Sequence, residues 1–232
     1  MLRIFAGVLM KWTFFFLCLC STVTLFARPQ ALNQLVYEIR DPKTDAAHFR
    51  YALEKIGEYL ALEVLEELSK EELAVKTLTG GQALHVLVNE DPVLVTILRA
   101  GLPLNYGVHT VFPNAEVGFF AMSRNEETLQ PLVEYISLPN LKDRTVILSD
   151  TMLATGNSLI GALKAIEPHQ PKQIYILAAI ASQPGIDNIY WYNPKIKIIA
   201  AAIDATLNES GYIYPGLGDA GDRSFGKKHH TR

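Results

Sequence analysis

The sequence predicts an α/β protein: a mostly parallel sheet with helices on both faces, plus an N-terminal helix and a β-hairpin arm. Three observations predict it. Short apolar runs rich in β-branched residues recur at 93–98, 117–122, 146–149, 174–181 and 196–202, as expected of strands buried on both faces. Helical patterns alternate with such strands, the arrangement of crossover units. Polar residues follow several strands directly, where the carboxyl edge of a parallel sheet collects its ligands.

Residues 1–30 stand apart from this pattern. Arg3 and Lys11 precede a nearly unbroken apolar run from Trp12 to Ala27, including Phe14, Phe15, Phe16 and Leu17. A charged start followed by such a run is the layout of a secretory signal, and it is marginal in length for a spanning helix. Its cleavage end is poor, because Leu25 stands where a small residue is usual and Arg28-Pro29 follows Ala27. A true start near Asn33 accounts for the segment equally well. Both cysteines, Cys18 and Cys20, lie in this run, so the rest of the chain has no disulfide framework and no thiolate metal site.

The expected domain covers 31–226, with 227–232 as a polar tail holding Lys227, Lys228, His229 and His230. Phe49, Leu53, Ile56, Leu60, Val64 and Leu68 recur at steps of three and four, an amphipathic helix of about five turns. Gly80-Gly81 breaks that pattern. Pro92 opens the strand 93–98, which ends in Arg99-Ala100-Gly101. The strand 117–122 leads into a polar connection, 123–130, and residues 132–136 form a strand that pairs in a hairpin with it or with a neighbour. Strand 146–149 ends at Asp150, helix 159–166 follows, then strand 174–181, a turn at Pro184-Gly185, and strand 196–202.

At 232 residues, 49 % of them hydrophobic, the chain can bury one sizeable core. A net charge of −3 and a pI near 6.1 argue against nucleic acid or an acidic membrane as the main partner. They leave open a small polyanion, which needs only a local pocket. The segment from Val146 to Ser158 offers one. It reads as strand, tight polar loop and helix start, with Thr155, Gly156, Asn157 and Ser158 supplying hydroxyls, a flexible glycine and unpaired N–H groups. Those groups and the helix dipole favour phosphate. An ordinary capped turn uses the same residues.

Arg99, Arg124, Asp150 and Asp204 each follow a strand. Any one of them alone reads as a surface ion-pair partner. Together they fall on one rim and suggest a phosphorylated sugar or a nucleotide, because arginine offers paired donors to phosphate and a carboxylate accepts from sugar hydroxyls or holds hydrated Mg²⁺. Gly216, Gly218 and Gly221 match G-x-G-x-x-G, but near the chain end and without a βαβ unit behind them. A loop that lets a flat ligand lie against the backbone fits better, and a plain glycine-rich turn is the simpler alternative.

Ile97-Leu-Arg-Ala-Gly101, Arg124-Asn-Glu-Glu-Thr128, the loop from Asp150 to Ser158, Ala202-Ile-Asp204 and the segment from Gly211 to Arg223 resemble the uracil phosphoribosyltransferase family in order and spacing. The likeness spans roughly 32–226. The Leu-Ala-Thr-Gly loop alone would indicate only some phosphoribosyltransferase, whereas Pro-Gly-Leu-Gly-Asp-Ala-Gly-Asp resembles the base-binding end of this one family. The resemblance implies a phosphoribosyltransferase-like fold and transfer of the 5-phosphoribosyl group of 5-phosphoribosyl 1-diphosphate (PRPP) to N1 of uracil, giving UMP and diphosphate in pyrimidine salvage. It implies Mg²⁺ bound mainly through PRPP, with no metal ligand assigned among the side chains, a GTP effector, and a homodimer or higher homo-oligomer.

By the same resemblance, Arg99, Arg124, Asp150, Thr151, Met152, Leu153, Ala154, Thr155, Gly156, Asn157, Ser158 and Asp219 would bind PRPP. Arg99, Arg124, Asp150 and Asp219 would carry the chemistry, and Ile213, Gly218, Asp219 and Ala220 would bind uracil. The family usually has Asp-Pro where this chain has Asp150-Thr151, and often Gly-Gly-Ser where it has Gly156-Asn157-Ser158. Thr151 restores an N–H and loosens the loop, since proline fixes φ, while Asn157 tolerates unusual backbone angles. A non-catalytic PRPP- or UMP-binding regulator is the alternative on the same fold. The expected location is cytoplasmic, with export or membrane anchoring left open by residues 1–30.

Overall fold

The computed structural model describes residues 30–124 and 131–228. The leader and most of the 123–130 connection therefore lie outside the described residues. Two helices open the fold, α1 (Gln30–Arg40) and α2 (Ala46–Glu67). Asp45 starts α2 by accepting from the N–H groups of Ala47 and His48, each at 2.9 Å, which satisfies donors that have no partner inside the helix. The predicted stripe is real: Phe49, Leu53, Ile56, Leu60 and Val64 are all fully buried.

A six-stranded sheet forms the centre, in the order β5-β4-β3-β6-β7-β8. Its strands are β3 (Val93–Leu98), β4 (Glu116–Arg124), β5 (Pro131–Ser137), β6 (Thr145–Leu153), β7 (Gln173–Ser182) and β8 (Lys197–Asp204). All neighbours run parallel except the edge strand β5, which pairs antiparallel with β4 as the expected hairpin. Successive residues of a strand face opposite sides, and the core divides accordingly. Leu94, Ile147 and Leu177 pack with α1, α2 and α3 (Leu102–Val111). Val93, Val95, Val146, Leu148, Ile174 and Ile176 pack with α4 (Asn157–Ile166) and α5 (Gln183–Tyr192) on the other face. Each fully buried Leu, Ile or Val removes apolar surface worth about 1.5–3 kcal/mol. α2 and α3 approach at two glycines, since a Cβ on Gly57 or Gly107 would lie 2.1 or 1.8 Å from a carbonyl oxygen of the facing helix.

Three expectations are corrected. Asp150 does not end its strand, because β6 runs on to Leu153 in register with β7. Pro184-Gly185 is not a turn between strands but the first turn of α5, where Pro needs no N–H and Ser182 accepts from the Gly185 N–H at 2.9 Å. Gly80-Gly81 does not end the helix, which stops at Glu67; it turns a hairpin of β1 (Lys70–Lys76) and β2 (Gln82–Val88), with Thr77 N–H donating to Gly81 O at 2.9 Å. α1 and α3 were also not foreseen. Among the described residues no helix is long and apolar enough to cross a membrane.

Candidate active site

The chain leaves β3 through α3 toward β4 on one side, and leaves β6 through α4 toward β7 on the other. α3 packs on one face of the sheet and α4 on the opposite face. Such divergent connections open a crevice at the carboxyl ends of the two adjacent strands. Arg99 follows β3 and Asp150 lies near the end of β6, so both flank this crevice.

The β6–α4 turn has the geometry of an anion cradle. Gly156 is the N-cap of α4 at φ +83°, in the left-handed region, and no side chain caps the helix. The first turn holds no acidic residue, so nothing there repels phosphate from the helix N-terminus. Thr155 Oγ1 accepts only at 3.4 Å from the Asn157 N–H, a weak bond. The turn is supported from below by residues that the sequence did not single out. Ser182 Oγ donates to Ala154 O at 2.6 Å and Asn188 Nδ2 to Thr155 O at 2.9 Å. The Ser-Gln-Pro-Gly start of α5 was the available signal for Ser182; no local pattern marked Asn188. Leu153 is fully buried in the core, so only its backbone can serve a ligand, while Met152, Ala154, Thr155 and Asn157 are half-buried and Ser158 is exposed.

Asp150 is buried, and that burial pushes its carboxyl up to about 7, against N–H bonds from Thr151 and Met152 that pull it down. A carboxylate held this way gains from a hydroxyl donor or a cation at its open side. Its neighbour Thr151 is also buried, and its Oγ1 donates to Ala100 O at 2.5 Å. The threonine therefore does not loosen the turn as expected from the loss of proline; it ties the end of β6 to the loop carrying Arg99. Arg99 Nη2 reaches Asp222 Oδ1 at 3.2 Å and Gly226 O at 3.3 Å, while its Nε is buried with no partner among the described residues. These long contacts leave donor capacity for an anionic ligand. Arg124 closes β4, and its side chain lies outside the described residues.

The C-terminal segment reaches the same crevice. β9 (Thr206–Leu207) pairs with β10 (Ile213–Tyr214), and Asp219 caps α6 (Ala220–Phe225) by accepting from Asp222 N–H at 2.8 Å. Ile213 and Ala220 are buried in the core, whereas Gly218 and Asp219 are exposed. A Cβ on Gly218 would meet nothing within 4 Å, so open space lies over this backbone. Gly221 brings the segment against the arginine loop: a Cβ there would sit 3.9 Å from Arg99 Nη2.

Asp204 is not a free rim carboxylate. Arg40 donates to it through both Nη atoms, at 2.8 and 2.7 Å, and Gly216 N–H adds a third bond at 2.9 Å. A buried charge is kept only with such partners. Sequence reasoning missed Arg40, and no local signal could have found it, because its partner lies 164 residues away.

A switch-point crevice bordered by an arginine loop, a helix start with unpaired N–H groups and an open glycine backbone defines a phosphoribosyltransferase-like α/β protein. The family model described as Uracil phosphoribosyltransferase matches residues 26–227. The uracil phosphoribosyltransferase of Bacillus licheniformis is 39 % identical over 207 residues, covering 89 % of this chain and 99 % of the relative. That of Thermococcus gammatolerans is 40 % identical over 199 residues, covering 84 % and 89 %. The solved structure of the AQ2163 protein from Aquifex aeolicus superposes with a TM-score of 0.80 at 39 % identity, covering 87 % of this chain and 96 % of that one. The chain belongs to the uracil phosphoribosyltransferase family.

Proposed function

We propose that this chain transfers the 5-phosphoribosyl group of PRPP to N1 of uracil, releasing diphosphate and forming UMP for pyrimidine salvage. The observation that carries this reading is the meeting of the β6–α4 cradle, the Arg99 loop and the 213–220 segment at one crevice. In the reaction the bond from C1 of the ribose to diphosphate breaks, the N1–C1 bond forms, and N1 loses its proton. Positive charge builds on the ribose and negative charge on the leaving group. The α4 N-terminus holds the 5-phosphate, Asp150 accepts from the ribose hydroxyls, and Arg99 and Arg124 stabilise the departing diphosphate. Asp219 touches PRPP beside the base. Exclusion of water protects the ribose cation from hydrolysis. Nothing in the site favours a non-catalytic regulator.

Mg²⁺ fits this arrangement as a companion of PRPP. Among the described residues no cluster of three or more His, Cys, Asp or Glu could hold a metal by itself, but buried Asp150 offers one carboxylate, and Mg²⁺ takes its other ligands from phosphate oxygens and water. Bound there it would neutralise diphosphate charge. The cytoplasm is the location that suits a substrate as highly charged as PRPP. The GTP effector rests on family resemblance alone, and adding GTP to the assay below tests it.

Self-association has support in the β1–β2 hairpin. Both of its faces carry exposed apolar side chains among charged ones, Leu73 and Val75 on one, Leu84 and Val86 on the other. A lone two-stranded hairpin is only marginally stable in water, and a patch of this kind marks an interaction surface. The full chain is expected to sediment as a dimer or larger. A monomer at micromolar concentration in sedimentation velocity would remove this part of the reading.

Base choice tests the function itself. Uracil presents two carbonyl acceptors flanking the N3–H donor, an edge that backbone groups of Gly218, Asp219 and Ala220 can match. A purine is a larger, bicyclic base with a different edge, and cytosine reverses a donor and an acceptor. An unpaired buried polar group costs about 1–3 kcal/mol, and sites built on such bonds discriminate strongly. With radiolabelled base and PRPP, the full chain is expected to turn over uracil and 5-fluorouracil and to leave cytosine, adenine and hypoxanthine nearly untouched. Comparable turnover of cytosine or a purine would overturn the assignment of 213–220.

A further inference from the structure

The base-reading segment does not hold its own shape. Gly216 sits at φ +59°, and a Cβ there would lie 2.1 Å from Ile213 O, so the chain turns back on itself at this point. Both polar groups of the Gly216 backbone are taken by one ion pair. Its N–H donates to Asp204 Oδ2 at 2.9 Å, and its carbonyl accepts from Arg40 Nη1 at 2.9 Å. Arg40 is the last residue of α1 and Asp204 the last of β8, so two elements far apart in the chain grip one residue of the loop.

The pair itself is rigid. Two N–H···O bonds at 2.8 and 2.7 Å form a parallel fork, the geometry that fixes direction as well as distance. Although burial works to raise its pKa, the bonds from Arg40 and Gly216 hold the Asp204 carboxyl below the usual range. Buried ion pairs of this kind contribute little net stability compared with well-packed apolar residues, because desolvation offsets their attraction. What the fork supplies is orientation. One residue further on, Arg223 Nη1 donates to Leu217 O at 3.1 Å while Nη2 donates to Asp41 O at 2.7 Å and the guanidinium lies 4.2 Å from the Phe49 ring. Residues 216 and 217 are thus keyed to the α1–α2 corner, and Gly218 follows with open space above it.

We propose that the Arg40–Asp204 pair is a positioning device for the uracil-reading segment, and that it sets the affinity for the base more than the affinity for PRPP, which meets this segment at Asp219. This rests on the assignment of 213–220 as the base site. Because Gly216 spends both backbone groups on the pair, the groups that read uracil begin at Gly218, and their direction depends on where Gly216 is held. The cradle at Gly156 is anchored separately, by Ser182 and Asn188.

The test is a steady-state comparison of Arg40→Met, Arg40→Lys and Asp204→Asn, each checked for folding by circular dichroism. Misdirecting one backbone hydrogen bond to the base weakens its binding about tenfold. Arg40→Met and Asp204→Asn are therefore expected to raise the KM for uracil about tenfold or more, with the KM for PRPP and kcat changing less than about threefold. Arg40→Lys keeps the charge but loses the fork, so it should fall between wild type and Arg40→Met, and it serves as the reading if Arg40→Met fails to fold. Arg40→Met lowers the melting temperature on either reading, because it leaves the buried Asp204 carboxylate unpaired; a purely structural role would raise both KM values together, and that result, or an unchanged uracil KM in folded variants, overturns the proposal. Gly218→Ala, which strains the φ +88° backbone and places a methyl group in the space assigned to the base, disturbs the base site directly and so separates the two levels. If it raises the uracil KM while the Arg40 and Asp204 variants do not, the pair is not the positioning device but the base site stands; if it leaves the uracil KM unchanged, the base-site assignment itself fails.

Discussion

Arg99→Ala is expected to lower kcat for UMP formation by about a hundredfold or more while leaving the fold nearly as stable as before. The two halves of that result have separate causes. In the structure Arg99 pairs with Asp222 at 3.2 Å, with side chains 37 % and 34 % exposed. A half-exposed pair at that distance contributes about 0–1 kcal/mol, so deleting it costs little stability. Loss of one donor to charge developing in a transition state costs about 3 kcal/mol of barrier. On the proposed reading the same weakness would let the guanidinium leave Asp222 for diphosphate, and the anion would supply a partner to its buried Nε, which has none among the described residues. Arg124→Ala is expected to slow the reaction as well. Steady-state rates equal to wild type in folded Arg99→Ala would return this residue to the role of a surface ion-pair partner.

Gly156→Val is expected to abolish PRPP binding in isothermal titration calorimetry, with the sheet and the apolar face of α4 retained. At φ +83° a side chain is strained whatever the space around it, and a β-branched residue most of all. Its Cβ would also meet Gly185 O at 3.2 Å and the Ile189 side chain at 3.5 Å. Relief requires rotating the peptide that begins α4, which turns the N–H groups of the cradle away from the phosphate. The helix itself survives because Leu159, Ala162, Leu163 and Ile166 keep it against the sheet. Wild-type affinity in a folded Gly156→Val protein would show that the 5-phosphate does not rest on this turn.

The strands were legible because their information is local. Val93–Leu98 reads as one apolar run, and the structure places the strand on those same residues. The β6–α4 cradle was legible for the same reason, since strand, glycine and helix start are contiguous. The reading failed where one local signal allows two outcomes. Pro184-Gly185 suits a turn or a helix start, and Ser182, already capping, decides for the helix. Lys70–Lys76 and Gln82–Val88 were obscured because a hairpin exposed on both faces has no buried side to impose alternation.

By itself the sequence determined the α/β class, the strand, glycine turn and helix start from Val146 onward, and the C-terminal segment that resembles a base reader. Only the tertiary structure decided what the polar residues do there. Asp204 looked like a ligand carboxylate and became half of a buried fork, because Arg40 arrives from 164 positions away. Thr151 looked like a loosened proline position and became a tie to Ala100. Periodicity and turn chemistry act between near neighbours and are written in order along the chain. The partner of a buried polar group is set by which strand ends meet, and that is known only once the sheet has formed.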